Sequence, residues 1–112
     1  MTEHRLNAYH VMWLFVFFDL PVTTKRERKI ASDFRKKLLK DGFVMMQFSV
    51  YIRHCASYES LVVHKKRVKV AMPVTGKISM LAITDKQYGD IETIFGKAAE
   101  KEMKAPIQLE FF

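Results

Sequence analysis

Cysteine is almost missing from this chain of 112 residues. Cys55 stands alone, which excludes an internal disulfide framework and a cysteine-based zinc site and fits a reducing, cytoplasmic setting. Long apolar runs are missing as well. The longest, Val11–Phe18, is far short of the ~18 apolar residues that a membrane span requires. It ends at Asp19-Leu20-Pro21 with no small-residue cleavage site, so a buried strand is expected rather than an export signal, and no membrane partner. No repeat, low-complexity tract or linker interrupts the sequence. Acidic residues are in deficit, 12 against 19 Lys and Arg, and the net charge of +7 points to a polyanionic partner. A content of 49% hydrophobic and 28% charged residues excludes a disordered chain, and the length allows one compact domain.

Residues 1–10 read as an irregular lead-in, 11–95 as the domain, and 96–112 as a loop and terminal strand. Pro21 forbids continuation of the first strand. Thr24-Lys25-Arg26-Glu27 then matches a capping box, Ile30, Ala31, Phe34 and Leu38 recur at helical spacing, and Gly42 suits a left-handed exit. A helix over 25–41 follows. Residues 43–53 alternate, with Val44, Met46, Phe48, Val50 and Ile52 on one face, and predict a single long strand. Ser57 can cap a second helix that must end by Pro73, with Tyr58, Leu61, Val68 and Met72 as its core stripe. Lys65 falls inside that stripe, where its stem can snorkel. Residues 78–83 read as a strand, 85–89 as a turn or one helical turn, 92–95 as a short strand and 107–112 as a terminal strand.

Two helices on one face of an antiparallel sheet make an α+β, ferredoxin-like βαββαβ sandwich, here with an extra strand at the end. The first strand is apolar on both sides: Trp13, Phe15 and Phe17 against Leu14, Val16 and Phe18. Helices cover one face only. The other would leave a large apolar patch, which a homodimer stacking sheet on sheet would cover.

Several residues could carry chemistry. Asp19 ends the first strand and is either a turn residue before Leu-Pro or a ligand for Mg²⁺ or Mn²⁺. A lone carboxylate makes a poor site, and a two-fold axis nearby would supply a second Asp19. The first helix places Lys25, Lys29, Lys36 and Lys40 on one stripe, flanked by Arg28 and Arg35. Residues 24–41 carry a net +5 whereas 85–112 carry −2, an asymmetry that solubility does not require. Such a helix, roughly 25 Å long, can follow a phosphate backbone without reading bases. Arg53 at the end of the long strand could reach a further phosphate. His54, His64 and Cys55 do not make a zinc spacing. Phe43, Met45, Met46 and Phe48 read as core rather than as a base-stacking platform, and no RNP1 pattern supports an RNA-recognition module.

Phe17-Phe18-Asp19-Leu20-Pro21, Thr24-Lys25, Phe34-Arg35-Lys36-Lys37-Leu38, Gly42-Phe43, Gln47-x-Ser49-Val50-Tyr51-x-Arg53, Arg67-Val68 and Ile83-Thr84-Asp85-Lys86-Gln87 together resemble the CRISPR-associated protein 2 family. Members associated with type II systems are the most similar. The resemblance implies a dimer of ferredoxin-like subunits that joins the CRISPR-associated integrase, captures short duplex DNA and inserts it as new spacers. It also implies a metal-binding Asp at position 19. Some members are described as metal-dependent endonucleases acting on RNA or DNA, so the alternative is an endoribonuclease or DNase using an Asp19 pair with Mg²⁺. The resemblance further implies that 107–112 exchanges between subunits.

Overall fold

The computed structural model describes residues 11–98; the lead-in 1–10 and the terminal strand expected at 107–112 lie outside them. The first strand, β1 (Met12–Asp19), feeds α1 (Lys25–Lys40) through the Pro21 turn. Thr24 caps α1 as its residue type requires: its hydroxyl accepts from the Glu27 amide and the Glu27 carboxylate accepts from the Thr24 amide. The far end closes on Gly42 at φ +92°, with the Gly42 amide donating to the Leu39 carbonyl and the Phe43 amide to that of Leu38. Ala31, Phe34 and Leu38 are buried; Ile30, expected beside them, is 38% exposed.

The long strand expected over 43–53 is instead a hairpin of β2 (Val44–Gln47) and β3 (Val50–Cys55), turning at Phe48-Ser49. Val44 pairs with Ile52 and Met45 with Tyr51, and the register shifts between Met45 and Gln47. An alternating pattern survives being folded back on itself, and Phe48-Ser49 carries none of the glycine, asparagine or proline that marks a turn. Phe43 is buried as expected, but Met45 is 57% and Phe48 71% exposed, which corrects their assignment to the core.

Ser57 caps α2 (Tyr58–Ala71), its hydroxyl accepting from the Ser60 amide. The buried stripe is Leu61, His64 and Val68; Tyr58 is exposed and contributes nothing to it. The chain returns through β4 (Lys77–Thr84) and the single-turn α3 (Asp85–Gly89). Residues 91–96 form no strand, contrary to expectation, and Ile94 is largely exposed. The hairpin has already supplied the fourth strand, and β-forming residues without a ladder partner do not make a fifth.

The sheet runs β2-β3-β1-β4, antiparallel throughout, which is the ferredoxin-like order. Its two faces differ. Leu14, Val16 and Phe18 join Phe34, Leu38, Leu61 and Val68 in the core between sheet and helices. A fully buried side chain of this size contributes about 1.5–3 kcal/mol. The opposite face carries Trp13, Phe15, Phe17, Ile52 and Leu81. Among the described residues only the single turn α3 packs on it, at Trp13. Phe15 and Ile52 are buried, while Phe17 is 38% and Leu81 50% exposed. Trp13 is held there by a 3.8 Å stack on Tyr88 and a 2.8 Å hydrogen bond from its indole N–H to Asp85.

Candidate nucleic-acid interface

Asp19 is the last residue of β1 and, by alternation, lies on the same side as Phe15 and Phe17, away from the helices. It sits opposite Lys77 in register and borders a shallow pocket of about 260 Å³ with Phe17, Ser49, Val50 and Ser79. Gly76 fixes the neighbouring backbone. Its φ of +104° is strained for any residue with a Cβ, which would also lie 2.5 Å from the Leu20 side chain and 3.1 Å from the Asp19 carbonyl oxygen. The Asp19 carboxylate is exposed, and no group of three potential metal ligands occurs among the described residues. A hard divalent ion takes one or two carboxylates and keeps several waters, and Asp19 is the one carboxylate among the residues that border this pocket.

The cations lie on the other layer. Lys25, Lys29, Lys36 and Lys40 are all exposed along α1. Lys29 meets Asp33 at 3.3 Å, a surface pair of little energetic weight. Arg28 is anchored: one guanidinium N–H group donates to the carbonyls of Val22 and Thr23, stiffening the loop before α1. Arg35 is half-buried, its guanidinium 4.6 Å from the Phe48 ring centroid and 5.7 Å from that of Phe18. Its Nε has no hydrogen-bond partner, so the stacked rings are its main environment. Arg53 points to the helix side rather than outward: Nε donates to the Asp41 carbonyl at 3.0 Å and another N–H to the His54 carbonyl. The structure thus gathers the α1 lysines on one surface, commits Arg35 and Arg53 to packing, and separates them all from Asp19 by the sheet.

A cluster that sequence reasoning missed joins the helices. Asp41, the C-cap of α1, accepts from His64 Nδ1 at 2.8 Å and from the Arg67 guanidinium at 2.8 Å. A carboxylate at the negative end of a helix dipole is unfavourable by itself, and these two donors offset that. Burial pushes the Asp41 carboxyl upward, but the bonds and charges of His64 and Arg67 outweigh it and hold the group below its ordinary value. The available signal was His64 itself, three residues after Leu61 and four before Val68 on the apolar stripe. Cys55 is fully buried, and burial pushes its thiol up, with Arg53 opposing in part.

Topology and charge define the class: a ferredoxin-like α+β protein with a partly exposed apolar sheet face and a cationic helix layer. Within that class, the family model of CRISPR associated protein Cas2 matches residues 12–91, from the start of β1 to just beyond α3, and the chain belongs to that family. It is 56% identical over 112 residues to the CRISPR-associated endoribonuclease Cas2 of Flavobacterium psychrophilum, covering 98% of this chain and 97% of that one. The proteins of the same name from Parvibaculum lavamentivorans and Paracidovorax avenae are 48% and 44% identical. Those matches cover 90% and 96% of this chain and 100% and 99% of theirs. No helix among the described residues is long and apolar enough to cross a membrane.

Proposed function

We propose that the chain serves in the acquisition of CRISPR spacers, as a homodimer that scaffolds the integrase and holds duplex DNA by its phosphate backbone. The partly exposed apolar sheet face carries this reading. Phe17 is 38% and Leu81 50% exposed on the face opposite α1 and α2, and a second copy stacked across a two-fold axis would bury them. That arrangement leaves both α1 helices outward, with Lys25, Lys29, Lys36 and Lys40 accessible to a duplex. Co-purification with the integrase, with and without a short duplex, tests the assembly. A chain that is monomeric at micromolar concentration by light scattering and fails to retain the integrase overturns it.

A second reading has its own support. The relatives above carry the name endoribonuclease, and Asp19 lies on the face through which two copies would meet. A two-fold axis near the Asp19 end of β1 would bring two carboxylates together, and that pair would hold Mg²⁺ or Mn²⁺. The ion would supply polarisation of a phosphodiester and of a bound water. Ser49 and Lys77 border the same pocket and would face the scissile strand of RNA or DNA.

A further inference from the structure

Apart from Lys40, which also belongs to the α1 lysine stripe, the helix layer holds a feature that neither duplex binding nor hydrolysis uses. Between α1 and α2 lie two adjoining depressions of about 370 Å³ each, sharing Lys37, Arg67 and Ala71. Their apolar lining is formed by Leu38 and Val68, both nearly fully buried, with Ala71 and the outward-facing Val70. Val70 is 80% exposed, and Val63, seven residues earlier and therefore on the same side of α2, is 44% exposed. The rim is cationic from both helices: Lys37 and Lys40 on one side, Lys66 and Arg67 on the other. Among the described residues only Arg67 of these four has an ion-pair partner, Asp41.

We propose that this groove takes an acidic amphipathic helix of a partner polypeptide. The apolar lining and the rim set different demands, and this occupant meets both. Apolar side chains at i, i+3 and i+7 would cover Val70, Ala71 and Val63, while glutamates or aspartates on the flanking rows would face Lys37, Lys40 and Lys66. A nucleic-acid backbone satisfies the cations but leaves the exposed Val63 and Val70 against water. A small molecule would want enclosing walls and convergent polar groups, and this groove is open with its polar groups on the rim. The Asp41–His64–Arg67 contacts hold the two helices together at the site, so the groove is formed before a partner arrives.

The test uses the full chain and a fluorescein-labelled synthetic helix of about 14 residues, with leucines at i, i+3 and i+7 and glutamates on both flanks. Saturable binding in the range of about 1–50 μM is expected by fluorescence anisotropy. Lys37→Glu with Lys66→Glu should weaken it about tenfold or more, and Val70→Asp about fivefold. Lys25→Glu with Lys29→Glu, away from the groove, should leave it within about twofold. Circular dichroism melts establish that the variants fold, and Lys37→Gln with Lys66→Gln replaces the reversal if that one does not. Absence of saturable binding overturns the proposal. So does equal weakening in the Lys25/Lys29 variant, and so does binding that ignores Val70→Asp and is displaced by a DNA duplex, which would make the groove part of the nucleic-acid surface.

Discussion

His64 Nδ1 lies 2.8 Å from Asp41 Oδ2, tying the middle of α2 to the C-cap of α1. An ionised carboxylate only accepts, so the ring nitrogen carries the proton and donates. Arg67 adds a second bond to the other oxygen, and Arg53 holds the Asp41 carbonyl. One residue thereby gathers three basic side chains from two elements, β3 and α2, around the end of a third.

Acid should expose this arrangement. The folded state holds the Asp41 carboxyl below its ordinary value of 3.8, so its contribution to stability is complete above that value. It is lost as pH falls through the lower, folded pKa, where the unfolded chain already binds the proton. Melting temperature followed from pH 6 down to about pH 2 should therefore drop more steeply in the parent than in Asp41→Asn. At neutral pH the variant should be less stable by about 1–3 kcal/mol, because His64 is left with a weaker acceptor in a buried position.

Gly76→Ala should destabilise the fold by about 1–3 kcal/mol, since its φ of +104° strains a residue with a Cβ and the Leu20 side chain would have to shift. Gly89→Ala should be harmless or slightly stabilising, because nothing lies within 4 Å of the added carbon in α3. Urea titration of the two variants separates the conformational requirement from a general sensitivity to replacing glycine.

Phe17→Lys places a charge on the sheet face opposite α1 and α2, at a position already 38% exposed in the single chain. It should leave the monomer folded by circular dichroism while shifting the mass measured by light scattering from dimer to monomer. A variant that remains dimeric would place the interface between copies elsewhere.

Duplex binding should be electrostatic and insensitive to sequence. Changing Lys25, Lys29, Lys36 and Lys40 to Glu should weaken it and flatten its salt dependence by up to about 0.9 for each phosphate no longer neutralised. Affinity measured across salt concentrations by anisotropy checks this, and an unaltered slope in a folded variant would move the surface away from α1.

Hydrolysis of RNA or DNA should require Mg²⁺ or Mn²⁺ and vanish in Asp19→Asn, which keeps the shape of the side chain and removes its charge. Duplex affinity should be unchanged in that variant, since the α1 lysines lie on the opposite layer. Cleavage that persists in Asp19→Asn or in chelator would exclude the Asp19 pair.

Much of the architecture was legible along the chain because its signals are local. Thr24 and Glu27 cap α1, Ser57 caps α2 and Gly42 closes α1, each where the residue type predicts, since a cap needs only a few neighbouring residues. The hairpin was not legible. Val44 to Ile52 alternates equally well as one strand or as two, and the turn at Phe48-Ser49 is held by tertiary contacts: the Phe18 amide donates to the Ser49 carbonyl, and Arg35 packs on the Phe48 ring. The strand expected near 92–95 failed for the converse reason, a local propensity with no partner to pair with.

The candidate site divides along the same line. Asp19 at the end of β1 and the lysine stripe on α1 follow from sequence alone, because strand alternation and helical spacing place them without knowledge of the rest of the chain. Arg53, read from the same alternation as a phosphate contact, instead braces the end of α1 through the Asp41 carbonyl. The Asp41–His64–Arg67 cluster and the groove above it were beyond reach, since their parts lie 23 and 26 residues apart. Sequence determined which side chains share a strand face or a helix stripe. Only the packing of α1 beside α2 decided which of those faces meet, because contacts between distant segments are chosen by the burial of the whole core and not by neighbours in the chain.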